Sequence, residues 1–371
     1  MEEKINKKIK ICFFSPASAA FFSPYLNINH GGAELQMYLT AKKISENHNF
    51  DISFLVEEKN NNSETENIKL YKSINLKKKE SVISKIPKAI KLLIQLKKIN
   101  PDIVISTNAN ALTGFFALYA KIFNKKYIFR SSSLADINYP LQNGISGKIY
   151  RYGLKNASAV TVQTQEIKSL MKKHHNIDAV IIKNLFEIKQ PPATTNKEFI
   201  LWVSRFDKTK NPELFLNLAK KIPAEKFVMI CPYAEQEKKD WNKLKKKADK
   251  IPNLKFTEKV HYAGIQKYFD KAVLFVNTSD FEGFPNTFLQ SAQAKTPAAS
   301  LKVNPDNFIT EYNCGIFAEG NFEKLSLQIK NLLNNKDELK TKGENIYRYL
   351  KANHDINIAG EHFKQLIEKI I

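Results

Sequence analysis

Short apolar runs alternate with segments of helical periodicity over nearly the whole length of this chain. Such alternation is typical of strands that lead into helices around a parallel sheet, and it predicts an α/β fold. The polar stretch at 60–67 has no periodicity and is predicted to be a loop. In the first half we predict strands at 9–15, 51–56, 102–106, 127–130, 159–162 and 179–182, and helices at 33–45, 82–98, 111–123, 146–155 and 165–174.

The pattern breaks at 184–198, where Pro191, Pro192 and two threonines precede a new apolar run at 199–204. A chain of 371 residues usually needs more than one core, so we predict a linker at 184–198 between two domains. Two sequential α/β halves predict two parallel sheets that face one another across a cleft. The predicted domains are 1–183 and 199–355, and the amphipathic segment 356–371 is predicted to cross back to the first domain.

The chain carries 58 Lys and Arg against 37 Asp and Glu, a formal net charge of +21. This excess indicates nucleic acid, anionic lipid or a phosphorylated small molecule as a partner, unless it reflects only a Lys-rich coding bias. Cys12, Cys231 and Cys314 lie far apart, so we expect neither a disulfide framework nor a metal site, and a reducing compartment. Without a long apolar run or a signal-like start, we expect a cytoplasmic protein, with a peripheral position on the inner face of the membrane as an alternative.

The first candidate site is His30-Gly31-Gly32-Ala33-Glu34, between an apolar run and a periodic helix. Two glycines let a ligand approach the backbone closely, and free N–H groups at a helix start favour an anion. A plain turn between a loop and a helix would have the same sequence pattern. His30, beside the glycines, is a further candidate, with a solvated loop histidine as the alternative.

The second candidate site is Arg205 with Lys210, directly after the strand predicted at 199–204. Residues that follow strand ends in α/β sheets lie where such folds bind ligands. A guanidinium that makes bidentate contacts and a mobile ammonium suit a diphosphate.

The third candidate site is the segment 280–297, which follows the strand predicted at 273–277. Gly283 allows a tight turn and Pro285 suits a first helical turn, so the N–H groups around 286–288 are predicted to face a ligand. Glu282 could accept hydrogen bonds from sugar hydroxyls. Alternatively, it complements the dipole of the following helix.

In this order and at these strand ends, the three features resemble the retaining glycosyltransferases of the GT-B fold, family 4, also described as glycosyl transferases group 1. The resemblance covers most of the chain and implies two Rossmann-like domains. It implies a UDP- or GDP-sugar held mainly by the second domain, without a metal or a further cofactor. On this resemblance Arg205 and Lys210 hold the diphosphate, Glu282 binds the sugar, and the other donor contacts are Gly31, Gly32, Phe284, Pro285, Asn286 and Thr287.

Two positions depart from the family pattern. Gln290 stands where the family has a second Glu that binds the ribose, and an amide lacks the charge-assisted strength of a carboxylate. Arg130 and three serines stand where many members carry a His near the reacting centre. Arg130 could contact a donor or acceptor phosphate, and Asp136 could contact the acceptor.

The resemblance implies a hexosyltransferase that moves a sugar from a nucleotide donor to a cell-surface polysaccharide, a lipopolysaccharide or a lipid-linked glycan. A sugar-nucleotide epimerase of the same fold is an alternative. A non-catalytic basic protein that binds lipid or nucleic acid is another, although no nucleic-acid-binding motif accompanies the charge and no nucleic acid is expected.

Two Lys-rich segments need separate interpretation. In 77–98, five apolar residues share one predicted helix face, which favours a helix packed on the sheet over one that docks to anionic lipid headgroups. The five apolar residues of this face in 77–98 are Ile83, Ile86, Ile90, Leu93 and Ile94. The segment 238–250 is predicted to be a solvated helix face.

Overall fold

The computed structural model describes residues 8–23, 31–57, 67–74, 82–107, 109–137, 144–191 and 196–371. The chain divides into two compact units, Met1–Leu185 with Ile356–Ile371 and Phe186–Asp355. The division falls inside the segment 184–198, and residues of that segment pack on the second unit. Lys189 donates its backbone N–H to the Gln293 side chain, and the Lys197 ammonium donates to the Ala294 carbonyl.

The first unit is a parallel sheet covered by helices. Within the described residues its sheet has seven strands in the order β3-β2-β1-β4-β5-β6-β7. The strands are β1 Ile9–Phe14, β2 Phe50–Val56, β3 Ile68–Lys72, β4 Ile103–Ser106, β5 Lys126–Arg130, β6 Ala159–Val162 and β7 Val180–Ile181. The helices are α1 Ala19–Phe22, α2 Gly32–Ile44, α3 Val82–Ile99, α4 Ala111–Ile122, α5 Gly144–Lys155, α6 Gln165–His175 and, at the end of the chain, α14 Ile356–Ile370.

The helices of the first unit form two layers because each βαβ connection carries its helix to one face of the sheet. On one face, Met37 of α2 and Phe363 of α14 pack against Ile11 and Phe13 of β1. On the other face, α3 to α6 pack on the sheet through a second cluster that includes Leu92, Phe116, Tyr150 and Met171.

The second unit repeats this plan with six strands in its described residues, all parallel, in the order β10-β9-β8-β11-β12-β13. The strands are β8 Phe199–Val203, β9 Phe227–Ile230, β10 Leu254–Thr257, β11 Ala272–Asn277, β12 Ala298–Ser300 and β13 Gly315–Phe317. The helices are α7 Pro212–Lys221, α8 Lys238–Ala248, α9 Tyr262–Lys271, α10 Asn286–Gln293, α11 Phe308–Glu311, α12 Phe322–Leu333 and α13 Lys336–Asn353. The α/β class and the two parallel sheets predicted from the sequence are confirmed.

Helix α3 presents to the sheet a different face from the predicted one. Leu92 and Leu96 are fully buried, whereas Ile86, Ile90 and Ile94 are 55%, 53% and 60% exposed. The helix packs on the sheet as predicted, and Leu93 is partly buried against the same core. The prediction was wrong for the three isoleucines, because the helix carries apolar residues on two faces and periodicity alone does not tell which one meets the sheet. Among the described helices, none has the length and apolarity needed to cross a membrane.

Candidate functional site

The loops that follow β8 and β11 are joined by hydrogen bonds at the carboxyl edge of the second sheet. The Asn211 amide donates to the Thr278 carbonyl over 3.2 Å, and the Thr278 hydroxyl donates to the Lys210 carbonyl over 2.6 Å. The Asp280 N–H donates to the Thr209 carbonyl over 2.8 Å. Because β8 and β11 are neighbours in the sheet, these bonds hold the two predicted motifs side by side.

Lys210 and Glu282 form an ion pair between these loops. The Lys210 Nζ lies 2.5 Å from the Glu282 Oε1, and the Ser279 hydroxyl donates to the same oxygen over 2.8 Å. Both charged side chains are about one-fifth exposed, 20% and 21%. The sequence analysis proposed both residues, but not their pairing. A cation and an anion are thus held together at a partly open edge, where an incoming ligand can compete for either.

Arg205 follows β8 and is exposed, and the described residues offer its guanidinium no hydrogen bond or ion pair. The turn after it is held by Asp207, whose carboxylate accepts the N–H and the hydroxyl of Thr209 over 2.8 and 2.7 Å. Burial raises the pKa of Asp207, but the two hydrogen bonds from Thr209 and the positive charges of Lys210 and Arg205 together lower it more, so the net shift is downward. Asp207 therefore stays ionised and fixes the turn. The sequence alone does not indicate this role.

The turn before α10 is anchored by an aromatic side chain. Phe284 is 5% exposed, and its ring centroid lies 4.5 Å from that of His354 and 5.3 Å from that of Phe308. Pro285 is also buried and caps the helix, while Asn286 and Thr287 are half-buried at its first turn. Phe284 thus acts through its ring as a core anchor.

The predicted N–H groups of this turn are not all available. The Phe288 N–H donates to the Pro285 carbonyl over 3.1 Å, so the expectation that it faces a ligand was wrong. Gln290 lies further along α10 and is 6% exposed, and its backbone carbonyl accepts from the Gln266 amide over 3.0 Å. A buried amide at position 290 leaves only a small polar surface for a ligand.

In the first unit, Gly31 and Gly32 lie at the start of α2, as the sequence predicts. The Glu34 carboxylate accepts the Gly31 N–H over 2.8 Å, so an acidic side chain from the first turn caps the helix start. The expected free N–H at Gly31 is therefore occupied by an acidic side chain, in the place where an anion would bind. His30 lies outside the described residues.

Arg130 ends β5 in the first unit and is buried, 3% exposed. Its pKa is lowered to about 10 by burial. Arg130 pairs with Thr161 of β6, and Phe129 pairs with Ser106 of β4, so Thr107 comes next to Arg130 on the other side. Both terminal guanidinium nitrogens and both threonine hydroxyls are buried without a hydrogen-bond partner in the described part of the chain.

This row of three side chains has the composition of an anion site. Two threonines flank an arginine in the strand register at the carboxyl ends of adjacent strands, and a buried cation without a counter-ion is costly. The sequence analysis proposed Arg130 and missed Thr107 and Thr161, because only the strand register brings them beside it.

Asp136 is near Arg130 in the sequence, but its hydrogen bonds are to the loop after β5. One carboxylate oxygen accepts the N–H groups of Ser132 and Ser133 and the hydroxyl of Ser131 over 2.6 to 3.1 Å. Burial raises the pKa of Asp136 and these bonds oppose the rise. Asp136 therefore fixes the conformation of this loop through its hydrogen bonds.

Comparison with known proteins agrees with the two-unit fold. The chain superposes on sucrose-phosphate synthase from Thermosynechococcus elongatus with a TM-score of 0.82 at 15% identity, covering 98% of this chain and 99% of that one. It superposes on Anabaena Alr3699/HepE, solved in complex with UDP and glucose, with a TM-score of 0.75 at 14% identity, covering 97% and 100%. At these identities the likeness concerns the fold.

Two sequence comparisons point to a glycosyltransferase. An uncharacterized glycosyltransferase of Methanocaldococcus jannaschii, MJ1069, is 24% identical, and the alignment covers 98% of this chain and 100% of that protein. Residues 183–349, which carry Arg205, Lys210 and Glu282, match the family described as glycosyl transferases group 1. Together, the family match and the fold identify this protein as a glycosyltransferase of the GT-B fold.

Proposed function

We propose that this protein is a retaining hexosyltransferase of family 4 that takes its sugar from a UDP- or GDP-sugar. The observation that carries the proposal is the Lys210–Glu282 pair, which joins the loops after the two central strands of the second unit, β8 and β11, and Arg205 lies in the loop after β8. A diphosphate needs cations, and a sugar needs hydrogen-bond acceptors. This edge supplies both within one pair of loops.

In the proposed donor complex, Arg205 makes bidentate contacts to the diphosphate and the Lys210 ammonium adds a point charge. Binding then draws Lys210 toward the phosphates, and the Glu282 carboxylate turns to the sugar hydroxyls. Asn286 and Thr287 begin a helix whose positive end favours the same phosphates. Gln290 offers its amide to the ribose, and Gly32 is the donor contact proposed from the first unit.

The proposed chemistry is a same-face substitution at the anomeric carbon. The bond from that carbon to the leaving phosphate oxygen breaks, the acceptor oxygen bonds on the same face, and the acceptor proton passes to the leaving phosphate oxygen. Arg205 and Lys210 stabilise the charge that develops on the leaving nucleoside diphosphate. The two side chains supply the positive charge that a divalent metal would otherwise supply, so we propose a reaction without metal.

We propose a cell-surface polysaccharide, a lipopolysaccharide or a lipid-linked glycan as the acceptor. The support is the buried row of Arg130, Thr107 and Thr161, which suits a phosphate or carboxylate group on the acceptor. A guanidinium and two hydroxyls bind such a group through charge-assisted hydrogen bonds.

Calorimetric titration with UDP and GDP tests the donor site. We expect one nucleotide to bind, and Arg205→Ala to weaken it at least about tenfold, since a hydrogen bond to a charged group contributes roughly 1.5–3 kcal/mol. Arg348→Ala is the matched control, because Arg348 is exposed in the same unit and bonds only to Asn345 among the described contacts. Failure of both nucleotides to bind, or equal loss in the two variants, would overturn the donor site.

Product analysis separates the transferase from the epimerase. Incubation with the nucleotide sugar and a glycan acceptor should release the nucleoside diphosphate and extend the acceptor with the anomeric configuration kept. Conversion of the nucleotide sugar to its epimer without an acceptor would instead establish the alternative. Addition of EDTA should leave the transfer rate unchanged, and a rate lost to EDTA and restored by Mg²⁺ would contradict the reaction without metal.

A further inference from the structure

The outer surface of the first unit carries apolar side chains in stripes on three helices. On α3 the stripe is Ile86, Ile90 and Ile94, each more than half exposed. The four-residue spacing places these side chains on one side of the helix. Exposed residues of this size are common one at a time, but a stripe along a helix marks a binding surface.

The same feature occurs on the next two helices. Leu118 and Ile122 of α4 are 45% and 64% exposed, and Ile145 and Ile149 of α5 are 78% and 39% exposed. Each pair again has the spacing of one helical turn. The three stripes thus repeat one pattern along consecutive segments of the chain.

The three helices lie next to one another. The Lys97 ammonium of α3 lies 5.1 Å from the ring centroid of Phe123, directly after α4. Gly114 of α4 and Gly153 of α5 are in backbone contact, because a Cβ built on Gly153 would lie 2.4 Å from the Gly114 nitrogen. Helices α3, α4 and α5 therefore form one continuous layer.

This layer contains no acidic residue. Helix α3 has five lysines, α4 has one, and α5 has two lysines and one arginine, without a single Asp or Glu. Between residues 82 and 165 the chain has only two acids, Asp102 and Asp136. Asp102 bonds to Lys125 and Asp136 bonds inside its own loop, so neither offsets the charge of the helices.

We propose that this surface, the exposed side chains of α3, α4 and α5, docks on an anionic lipid bilayer. The isoleucine stripes enter the boundary between headgroups and acyl chains, and the lysines around them meet the anionic headgroups. We call it the basic apolar face. The docking goes beyond the transfer reaction and does not depend on the donor site.

The charge of the face distinguishes a bilayer from other occupants. A second copy of the chain would bring its own lysines against these lysines, with no acids on the three helices to pair them, which opposes self-association through this face. Single-stranded nucleic acid is bound by aromatic platforms, whereas the exposed residues here are mainly aliphatic. A lipid surface provides both negative charge and an apolar layer.

Flotation of the full chain with lipid vesicles tests the proposal. The vesicles contain phosphatidylcholine alone or with about one-third phosphatidylglycerol, which makes the vesicle surface negative and so attracts lysines. We expect binding to the anionic vesicles only. The triple variant Ile86→Asn, Ile90→Asn, Ile94→Asn should bind at least about tenfold more weakly, because three half-exposed isoleucines lose their apolar contact with lipid.

Two exposed positions provide a matched pair of single variants. Ile94 in α3 and Leu327 in α12 are both 60% exposed, so Ile94→Asn and Leu327→Asn should cost the fold equally little. We expect weaker vesicle binding only for Ile94→Asn. Nucleotide titration of each variant reports whether the second unit is intact, and far-UV circular dichroism reports the fold of the whole chain.

Several outcomes would overturn the docking. They are no flotation of the wild type with anionic vesicles, equal binding by the wild type and the triple variant, or equal effects of the two single variants. A dimer in sedimentation that the triple variant loses would assign the face to a second copy instead. Loss of nucleotide binding with flotation retained would overturn the proposed function and leave the docking standing.

Discussion

Two Lys-rich helices, α3 and α8, have opposite surroundings in this protein. In α8 the lysines pair with acids, as in Lys245 with Asp249 at 2.7 Å and Lys247 with Glu213 at 2.8 Å. In α3 the lysines border exposed isoleucines, on a helix that has no acid. The positive charge of the chain is therefore not spread evenly over the surface. A helix whose lysines pair with acids is a solvated face, whereas a helix that has apolar stripes and no acids of its own is the face for which we propose binding.

The same contrast separates the candidate sites in the two units. Lys210 is held by Glu282, so its charge is compensated in the absence of ligand. Arg130 is buried more deeply and has no counter-ion among the described residues. On the proposed roles, a ligand rearranges the neutral pair of the second unit, whereas the buried cation of the first unit lowers stability until an anion binds. Substitutions at the two positions should therefore affect stability with opposite sign.

Loss of the Lys210–Glu282 ion pair should have the largest effect, a fall in kcat. Lys210→Met and Glu282→Gln should each lower kcat about 10²- to 10³-fold, the size found when one group that stabilises transition-state charge is removed. Lys302→Met is the control, because Lys302 pairs with Asp280 in the neighbouring loop without a proposed role in the reaction. Steady-state kinetics would contradict the assignment if Lys302→Met lowered kcat as much.

Substitution of Arg130 by an apolar residue should raise stability, whereas most substitutions lower it. Arg130→Leu removes a buried cation and fills the space with an apolar group, so the free energy of unfolding should rise by about 1–3 kcal/mol. The same variant should raise KM for an anionic acceptor and leave nucleotide binding unchanged. Arg130→Lys keeps the charge, so it should keep the low stability.

Chemical denaturation without ligand measures the free energy of unfolding of the variants. Lys210→Met is the opposite case to Arg130→Leu, because it leaves the Glu282 carboxylate without its cation. We expect Arg130→Leu to be more stable and Lys210→Met less stable than the wild type. A destabilised Arg130→Leu would show that Arg130 has a structural role, and the anion site would then be wrong.

Charge reversal on the two helices should affect membrane binding unequally. Lys91→Glu with Lys98→Glu changes α3, and Lys246→Glu with Lys250→Glu makes the same change at exposed positions in and just after α8. Binding to anionic vesicles should fall about tenfold or more for the first pair and change little for the second. Equal losses would show that the total charge matters and not the basic apolar face.

Much of the fold could be predicted from the sequence because buried parallel strands are short apolar runs. Strand β1 ends one residue before its predicted end, and helix α3 ends one residue after. Strand β3 was missed because its burial alternates at the sheet edge. Strands β12 and β13 have only three residues each, too few to show a period, and their neighbours in the sheet define them.

The candidate site could be predicted as residues, but not as contacts. Position after a strand end was enough to select Arg205, Lys210 and Glu282. The pairing of Lys210 with Glu282 joins residues 72 positions apart, and such pairing depends on strand order. Thr107 beside Arg130 depends on strand register in the same way. A single sequence contains neither kind of information directly.

The smallest effect should come from the ion pairs that neutralise α8. Asp249→Asn removes the partner of Lys245, and a surface pair of this kind contributes only about 0.2–0.5 kcal/mol in a helix. Both side chains are at least two-fifths exposed, so the change in the free energy of unfolding should stay within that range and shrink further in high salt. The informative readout is vesicle flotation. If neutralisation alone kept α8 off a membrane, Asp249→Asn would create binding. We expect none, because the face of α8 lacks the isoleucine stripe, and an apolar surface is what turns a basic helix into a docking face.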